Sequence, residues 1–454
     1  MKTLARRSLR TLATAALLPW ILASCGGGGD GGTAIVPASC SVADQNAWLA
    51  GYFDDWYFWY RDAPRPSPGA YATVDDFFNA SLYTGTNPSF PADRWSFSQS
   101  TESFNRFFGD GQSLGYGVSV NGVEVGGDPT APLYVRYVEP LSPAGLAGVV
   151  RGDQVLSING VSAASVIAAD DYSALTASSS GQALTLVLRN TGGDRSVTLT
   201  SAVYSLSPVP QTALVATPGG RTMGYVVVKD MISQVQPPLE TAFAQFKAAG
   251  VQDVVLDLRY NGGGLVSVGA VLASYVAGGL GTGHVYAGLL YNARHPEANQ
   301  YYRFGNYSSA AGVPRVYVLT GPRTCSAAEQ VMNGLLGIGI DVVAIGDTTC
   351  GKPVGFLPVD GTCGTTYNVV NFESVNEQDE GRYFDGFEPT CVVDENFTRA
   401  LGSASEPLLA AAANYADTGS CPLPGQQPLA VHHGEGMKRR LAAEPGEVRG
   451  MIAR

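Results

Sequence analysis

The sequence predicts a mixed α/β protein, and three observations carry that prediction. Hydrophobic residues make up 45% of the 454 and charged residues only 15%, enough apolar surface for a folded chain of more than one domain. Apolar runs at 254–258, 316–319 and 342–345 alternate with stretches of helical period, the pattern of a sheet covered on both faces. Upstream of them, residues 112–203 break into short β-like runs separated by glycine turns. A net charge of −11 argues against nucleic acid as a partner.

The first residues read as an export signal. Lys2, Arg6, Arg7 and Arg10 precede an apolar stretch from Leu12 to Leu22 that is too short to span a membrane permanently. Leu22-Ala23-Ser24-Cys25 resembles the lipobox of bacterial lipoproteins, which implies cleavage after residue 24 and lipidation of Cys25. The glycine-rich stretch that follows, within 25–39, reads as a flexible tether. Gly26 after the cysteine, where an aspartate would direct retention, implies the outer membrane, facing the periplasm. A plain secretory signal is the alternative. Six cysteines remain: Cys40, Cys325, Cys350, Cys363, Cys391 and Cys421. An even number behind an export signal suggests three disulfides. The expected pairs are Cys325 with Cys350, Cys363 with Cys391, and Cys40 with Cys421.

Residues 40–110 are rich in aromatics. Trp48, Tyr52, Phe53, Trp56 and Tyr60 fall at helical spacing and predict a helical element packed on a larger domain, with an aromatic substrate platform as the alternative. Residues 111–205 follow, with strand-like runs at 117–120, 133–138, 154–158, 184–188 and 196–199. Between them Ser142-Pro143-Ala144 opens a short helix, and Gly152-Asp153 leads into a strand ending Ile158-Asn159-Gly160. This resembles the PDZ signature. The resemblance implies a domain that adds a peptide C-terminus to its sheet edge, with Leu114, Gly115, Tyr116 and Gly117 forming the loop for the carboxylate.

Residues 206–421 alternate strands and helices. A strand from Thr222 is followed by Pro237-Pro238 and a helix with Leu239, Ala242, Phe243 and Phe246 on one face, stopped at Gly250. The strand at 254–258 runs into Gly262-Gly263-Gly264. The strand at 316–319 runs into Thr324-Cys325-Ser326-Ala327-Ala328-Glu329, and a helix follows. The strand at 342–345 runs into Gly346-Asp347-Thr348-Thr349-Cys350-Gly351-Lys352. Residues 422–454, rich in Pro, Gln and Gly, read as a disordered tail.

These strand ends hold a serine, a lysine and a glycine turn. A serine hydroxyl needs a neighbouring base to become a nucleophile, and a buried lysine can lose its proton near neutral pH. Backbone amides at the start of a helix and in a glycine turn can hold an oxyanion. The four histidines, His284, His295, His432 and His433, fall in no hydrolase motif, and no Gly-x-Ser-x-Gly elbow is present. No Gly-Lys-Ser/Thr follows Gly264, so a phosphate loop is discounted, and no Cys-x-x-Cys spacing suggests a metal.

Together these motifs resemble the C-terminal processing, or tail-specific, peptidases over residues 41–421. The resemblance implies an α/β (α+β) catalytic core with an inserted, mostly-β PDZ domain and a small N-terminal helical segment. It implies Ser326 as nucleophile, Lys352 as general base, and the amides of Gly263 and Ala327 as oxyanion donors. It implies no cofactor or metal, and polypeptide substrates recognised through their C-termini. Two positions depart from the family's pattern. Phe356 stands where many members carry a glutamine that orients the lysine, and Gly337 where many carry an aspartate. Glu329 is a candidate to take over the orienting role. A catalytically silent PDZ scaffold and a small-molecule esterase or amidase are the competing readings.

Overall fold

The computed structural model describes residues 36–422 and 450–453. Cys25, the export signal and most of the tether and tail lie outside the described residues. Among the described residues no helix is long and apolar enough to cross a membrane.

The first segment is built on helix α1 (Val42–Trp56), capped by the Ser41 hydroxyl, which accepts from the Asp44 amide. Helix α2 (Val74–Ala80), strand β1 (Phe97–Ser100) and helix α3 (Thr101–Phe108) follow. Trp48, Tyr52, Phe53 and Tyr57 are buried and belong to the main hydrophobic core, so the aromatic run packs the segment onto the larger domain and forms no exposed platform.

The PDZ domain is entered and left through a paired neck, β2 (Gln112–Gly115) antiparallel to β9 (Ala202–Ser205). Between them lie β3 (Val118–Val120), β4 (Leu133–Val138), helix α4 (Pro143–Leu146), β5 (Gln154–Ile158), β6 (Val161–Ser162), helix α5 (Ala163–Ala169), β7 (Ala183–Asn190) and β8 (Gly193–Thr200). The sheet order is β3-β4-β5-β7-β8, which leaves β3 on an edge, where a peptide strand can add. Tyr116, Val118 and Val120 help fill the domain's own core with Leu133, Val135, Ile158 and Leu184.

The larger domain contains two sheets. The first has the order β10 (Gln211–Ala216), β11 (Thr222–Val227), β12 (Asp253–Asp257), β16 (Arg315–Thr320), β17 (Asp341–Gly346) and β22 (Cys391–Val392). All of its pairs but β10–β11 are parallel. Crossovers through α6 (Gln236–Ala248), α7 (Val266–Ala277) and α8 (Ala327–Gly337) make this possible. Alternate residues go to opposite faces: Val254, Leu256, Val316 and Val318 join the main core. Val255, Tyr317, Leu319 and Val343 join a second one, under helix α9 (Pro407–Thr418). That double burial explains why these strands read as unbroken apolar runs.

The second sheet has the order β13 (Gly263–Leu265), β23 (Gly450–Ile452), β18 (Val354–Phe356), β21 (Val370–Val375), β14 (Val285–Tyr291) and β15 (Gln300–Arg303). The short strands β19 (Val359–Asp360) and β20 (Thr365–Asn368) pair with each other, and β20 also pairs with β1. Two expectations are corrected here. The tail is not wholly disordered, because residues 450–452 form a strand inside this sheet. Of the expected disulfides only Cys325–Cys350 forms; the others are Cys40–Cys363 and Cys391–Cys421. The β1–β20 pairing carries Cys363 to the start of the chain's first helix, and α9 returns Cys421 to the end of the first sheet beside β22.

Buried charges join the PDZ domain to the larger one. Arg151 donates to Tyr260 Oη at 2.5 Å, to Glu395 at 2.8 Å and to the Arg399 carbonyl at 2.8 Å. Glu139, at the end of β4, faces Tyr137, Tyr204, Asp230 and Lys229 and accepts from the Ser207 amide. Burial, and then the Asp230 carboxylate, push the Glu139 carboxyl up to about 7, against the pull of Lys229. A carboxyl raised in the folded state favours folding while it keeps its proton. The contribution is full below the ordinary value of 4.5 and is lost as pH climbs through about 7. We expect denaturant unfolding to show stability falling across this window, and Glu139→Gln to flatten the fall; an unchanged slope would remove Glu139 as its source.

Candidate active site

Strands β12, β16 and β17 are adjacent and parallel, with Asp257 opposite Leu319 and Thr320 opposite Gly346. Their carboxyl ends therefore lie side by side on one edge, where open α/β sheets place their sites. The glycine turn, the serine turn and the lysine loop leave from these three ends.

Ser326 stands between β16 and α8 with φ 63° and ψ −118°, and it is fully buried. A non-glycine residue in such a conformation stores about 1–3 kcal/mol of strain and persists only where its surroundings impose it. They do: the Cys325 amide donates to the Asn261 carbonyl at 3.0 Å, and the Cys350 amide to the Thr324 carbonyl at 3.0 Å. The Thr324 hydroxyl donates to the Leu258 carbonyl at 2.8 Å. The Ser326 Oγ makes no hydrogen bond within the described residues.

The Glu329 side chain holds the two loops together. Its carboxylate accepts from the amides of Ser326 at 2.8 Å, Gly351 at 2.8 Å and Lys352 at 2.9 Å, and from the Thr349 hydroxyl at 2.5 Å. Burial pushes this carboxyl above its ordinary value, and the four donors pull it back. Thr349 in turn accepts from the Phe387 amide at 2.7 Å, so the Asp385–Thr390 segment braces the lysine loop from outside. The Cys325–Cys350 disulfide, with Cα atoms 5.2 Å apart, is a covalent second link between the same loops. Glu329 thus positions the backbone of Lys352.

Lys352 is 1% exposed, and its Nζ lies 4.0 Å from the centre of the Phe356 ring. The ring occupies the place of the family's glutamine. The other departure is filled as well: a Cβ on Gly337 would come within 2.7–3.0 Å of the Asn376 side chain, which bonds back to Asn333. An aspartate has no room there.

The glycine turn meets the serine directly. A Cβ on Gly263 would lie 2.9 Å from Ser326 Cβ and 3.0 Å from the Ala327 nitrogen. Its φ of 102° also requires glycine. The Ala327 amide opens α8, ahead of the helix's own hydrogen bonds. The Gly263 amide, expected to be the second oxyanion donor, instead donates to Asn261 Oδ1 at 2.8 Å and is engaged in this structure. Asp257 and Arg259 of the same motif are structural: Arg259 bonds Asp257 at 2.9 Å and both oxygens of Glu406, which caps α9.

In the PDZ domain Leu114 and Gly115 sit at the end of the neck strand and Tyr116 is buried. The Gly117 carbonyl accepts from the Glu139 amide at 2.9 Å, and a Cβ there would strike Ser142. Glu124 reaches across to Arg323, just before the serine turn, at 3.0 Å. Sequence reasoning missed this ion pair, together with Asn261, Thr349 and the Arg259–Glu406 pair. His295 stacks on Trp56 with ring centres 3.7 Å apart and bonds Asp55. Sulfurs of Cys325 and Cys350 and the Glu329 carboxylate cluster closely enough for a metal, but the disulfide removes both thiolates.

A buried serine at a strained strand-to-helix turn, joined to a buried lysine loop and carried with a PDZ domain, is the arrangement of a class of serine peptidases. The chain is similar to peptidase family S41. That family's model matches residues 222–393, the S41 N-terminal domain matches 44–97, and a PDZ domain matches 134–190. The carboxyl-terminal-processing protease of Synechocystis is 25% identical over 52% of this chain and 54% of its own. Carboxyl-terminal-processing peptidase 3 of Arabidopsis thaliana, a chloroplast protein, is 28% identical over 54% of this chain and 47% of its own. The chain thus spans about half the length of these relatives. Among solved structures, a candidate S41 protease from Bacteroides fragilis superposes with a TM-score of 0.63. It is 25% identical, over 81% of this chain and 96% of that one. The photosystem II D1 C-terminal processing protease has the same fold, with a TM-score of 0.50 at 19% identity, over 82% of this chain and all of that one.

Glu329→Gln keeps the shape but turns an acceptor into a donor facing backbone amides. It is expected to cost about 3 kcal/mol in urea unfolding, against about 1 kcal/mol for Thr349→Val. Equal stability of Glu329→Gln and parent would show that the carboxylate does not hold the loops.

Proposed function

We propose that the chain is a serine endopeptidase that cleaves unfolded or C-terminally recognised polypeptides through a Ser326–Lys352 dyad. The observation that carries this reading is the joining of Ser326 and Lys352 through one buried carboxylate, at an edge where the Gly263 turn and the Ala327 amide also meet. In the reaction the Ser326 hydroxyl attacks the scissile carbonyl and Lys352 Nζ takes its proton. The Ala327 amide holds the oxyanion, joined by Gly263 once its bond to Asn261 is exchanged for the substrate. Collapse gives an acyl-enzyme and releases the amine, which takes the proton from Lys352. Water, deprotonated by the neutral Lys352 Nζ, then attacks the ester and frees the acid, and the proton returns from Lys352 to the Ser326 oxygen. Each oxyanion donor contributes about 2.7–4 kcal/mol in comparable sites.

The PDZ edge strand β3 is open for a substrate C-terminus, and the Glu124–Arg323 pair links its domain to the serine turn. Export to an oxidising compartment is supported by the three disulfides. With the lipobox-like Leu22–Cys25, it supports a lipid-anchored protein of the bacterial envelope, held in the outer membrane through Cys25 and facing the periplasm. A silent peptide-binding scaffold is the second reading. The Phe356 substitution and the engaged Gly263 amide favour it.

Cleavage of casein by the oxidised chain separates the two. Ser326→Ala and Lys352→Ala are each expected to lose activity about a thousandfold or more; an inert parent would favour the scaffold. Because the base acts without its proton, the rate is expected to rise with pH. The Phe356 ring face favours the charged amine, so Phe356→Leu is expected to move the midpoint of that rise down by about half a pH unit. A midpoint that moves upward would contradict the role given to the ring.

A further inference from the structure

The second sheet is complete only because strand β23 stands between β13 and β18. It runs parallel to both, with Gly450 opposite Gly263, Met451 opposite Gly264, and Ile452 opposite Leu265 and Phe356. The Gly450 amide donates to the Gly262 carbonyl at 3.2 Å and the Ala453 amide to the Phe356 carbonyl at 3.0 Å. Removing residues 450–453 would leave two buried strand edges facing an empty slot, an arrangement that calls for a strand.

The walls of the slot are the active site. One is the glycine turn, where the point a Gly263 Cβ would occupy lies 2.4 Å from the Gly450 carbonyl oxygen. That same point lies 2.9 Å from Ser326 Cβ and 3.0 Å from the Ala327 nitrogen, so a peptide carbonyl, the serine and an oxyanion amide all border the Gly263 α-carbon. The opposite wall carries Phe356, with the Lys352 amine over its ring. Glycine stands on this wall too: a Cβ on Gly355 would lie 2.5 Å from the Met451 carbonyl oxygen. Both walls thus lack a side chain where the inserted backbone passes. Met451, Ile452 and Ala453 are at most 4% exposed.

We infer that the slot between β13 and β18 is the groove for an extended substrate segment of small and apolar residues, and that residues 450–453 fill it as a built-in competitor. This inference rests on the peptidase reading for the identity of the substrate, but not for the occupancy itself. Substrate then binds only by displacing β23, and the apparent affinity falls by the fraction of time the slot is open. The Gly450 carbonyl lies at the Gly263 turn, followed by the apolar Met451 and Ile452, and the same sequence character is what the groove selects in a substrate.

The test uses the full chain carrying Ser326→Ala, so that nothing is cut, and a fluorescent synthetic peptide of residues 446–454 as the probe. Adding Met451→Asp and Ile452→Asp to that chain unseats the strand, and the peptide is expected to bind about tenfold tighter or better. Equal affinity in the two chains would overturn the inference. A measurement that needs no slot variant guards against misfolding. In the Ser326→Ala chain, saturating peptide is expected to expose the amides of Met451 and Ile452 to hydrogen exchange. Continued protection, with the peptide bound or with none binding, would overturn the inference as well. With Ser326 intact, Met451→Asp with Ile452→Asp is expected to raise the initial rate on casein about tenfold. A parent inert on casein would sink the peptidase assignment, and cleavage that survives Ser326→Ala would sink the dyad; either leaves the exchange result standing, so the failures are distinguishable.

Discussion

One buried carboxylate sets the geometry on which the site depends. Two loops that leave different strands must meet at a fixed distance, and neither has regular structure of its own to hold it there. Glu329 supplies that with a single group: it reaches back from the first turn of α8 to the Ser326 amide and outward to Thr349, Gly351 and Lys352. An ionised carboxylate can accept at about four positions and donates nothing, which suits a point ringed by amides and a hydroxyl. Burial is costly for such a group, as its raised carboxyl shows, and the cost is offset only while all four donors stay in place. The disulfide beside it restrains the same pair of loops without setting the orientation of their amides.

A second buried ionic group works on the scale of domains. Asp257, Arg259 and Glu406 tie the glycine turn to the helix beneath the sheet, and Glu395 passes the contact on to Arg151 of the PDZ domain. The Tyr260 hydroxyl sits between Arg151 and Glu395. Tyr260, just ahead of the glycine turn, therefore touches the PDZ domain, just as Arg323, next to the serine turn, touches Glu124. Both links start beside the strand-end turns, so the PDZ domain contacts the segments that carry Ser326 and Gly263 directly.

The parts legible in the sequence were those with a local signature. The strands at 253–257, 315–320 and 341–346 announce themselves because burial on both faces demands continuous apolar residues. The PDZ strands announce themselves through glycine turns at regular spacing, and the aromatic helix through its period. What was not legible depends on contacts between distant residues. Strand β23 has three residues, two of them apolar, and reads as tail until the gap between β13 and β18 is seen. The pairing of Cys40 with Cys363 follows from β1 lying beside β20, a non-local pairing with no sequence signal. Glu329 was visible as a helix-start glutamate. It was also a candidate to orient Lys352; that it does so through the backbone, with Thr349 and Gly351 turned inward, was not legible.

Strain at the serine and the unfinished sheet are two sides of one arrangement. Ser326 is held at a positive φ by bonds from Cys325 and to Glu329, and its Cβ lies against the Gly263 turn. Without β23 the sheet carrying that turn would lack a strand at the same place. A polypeptide that enters completes the sheet with backbone hydrogen bonds, which any sequence can offer, and so presents a carbonyl to the serine whatever its side chains. Discrimination must then come from the walls, where Gly263 and Gly355 require close backbone approach and Leu265 and Phe356 offer apolar contact. Seating Gly450–Ala453 there satisfies the open edges, and it also makes entry a competition between one polypeptide and another.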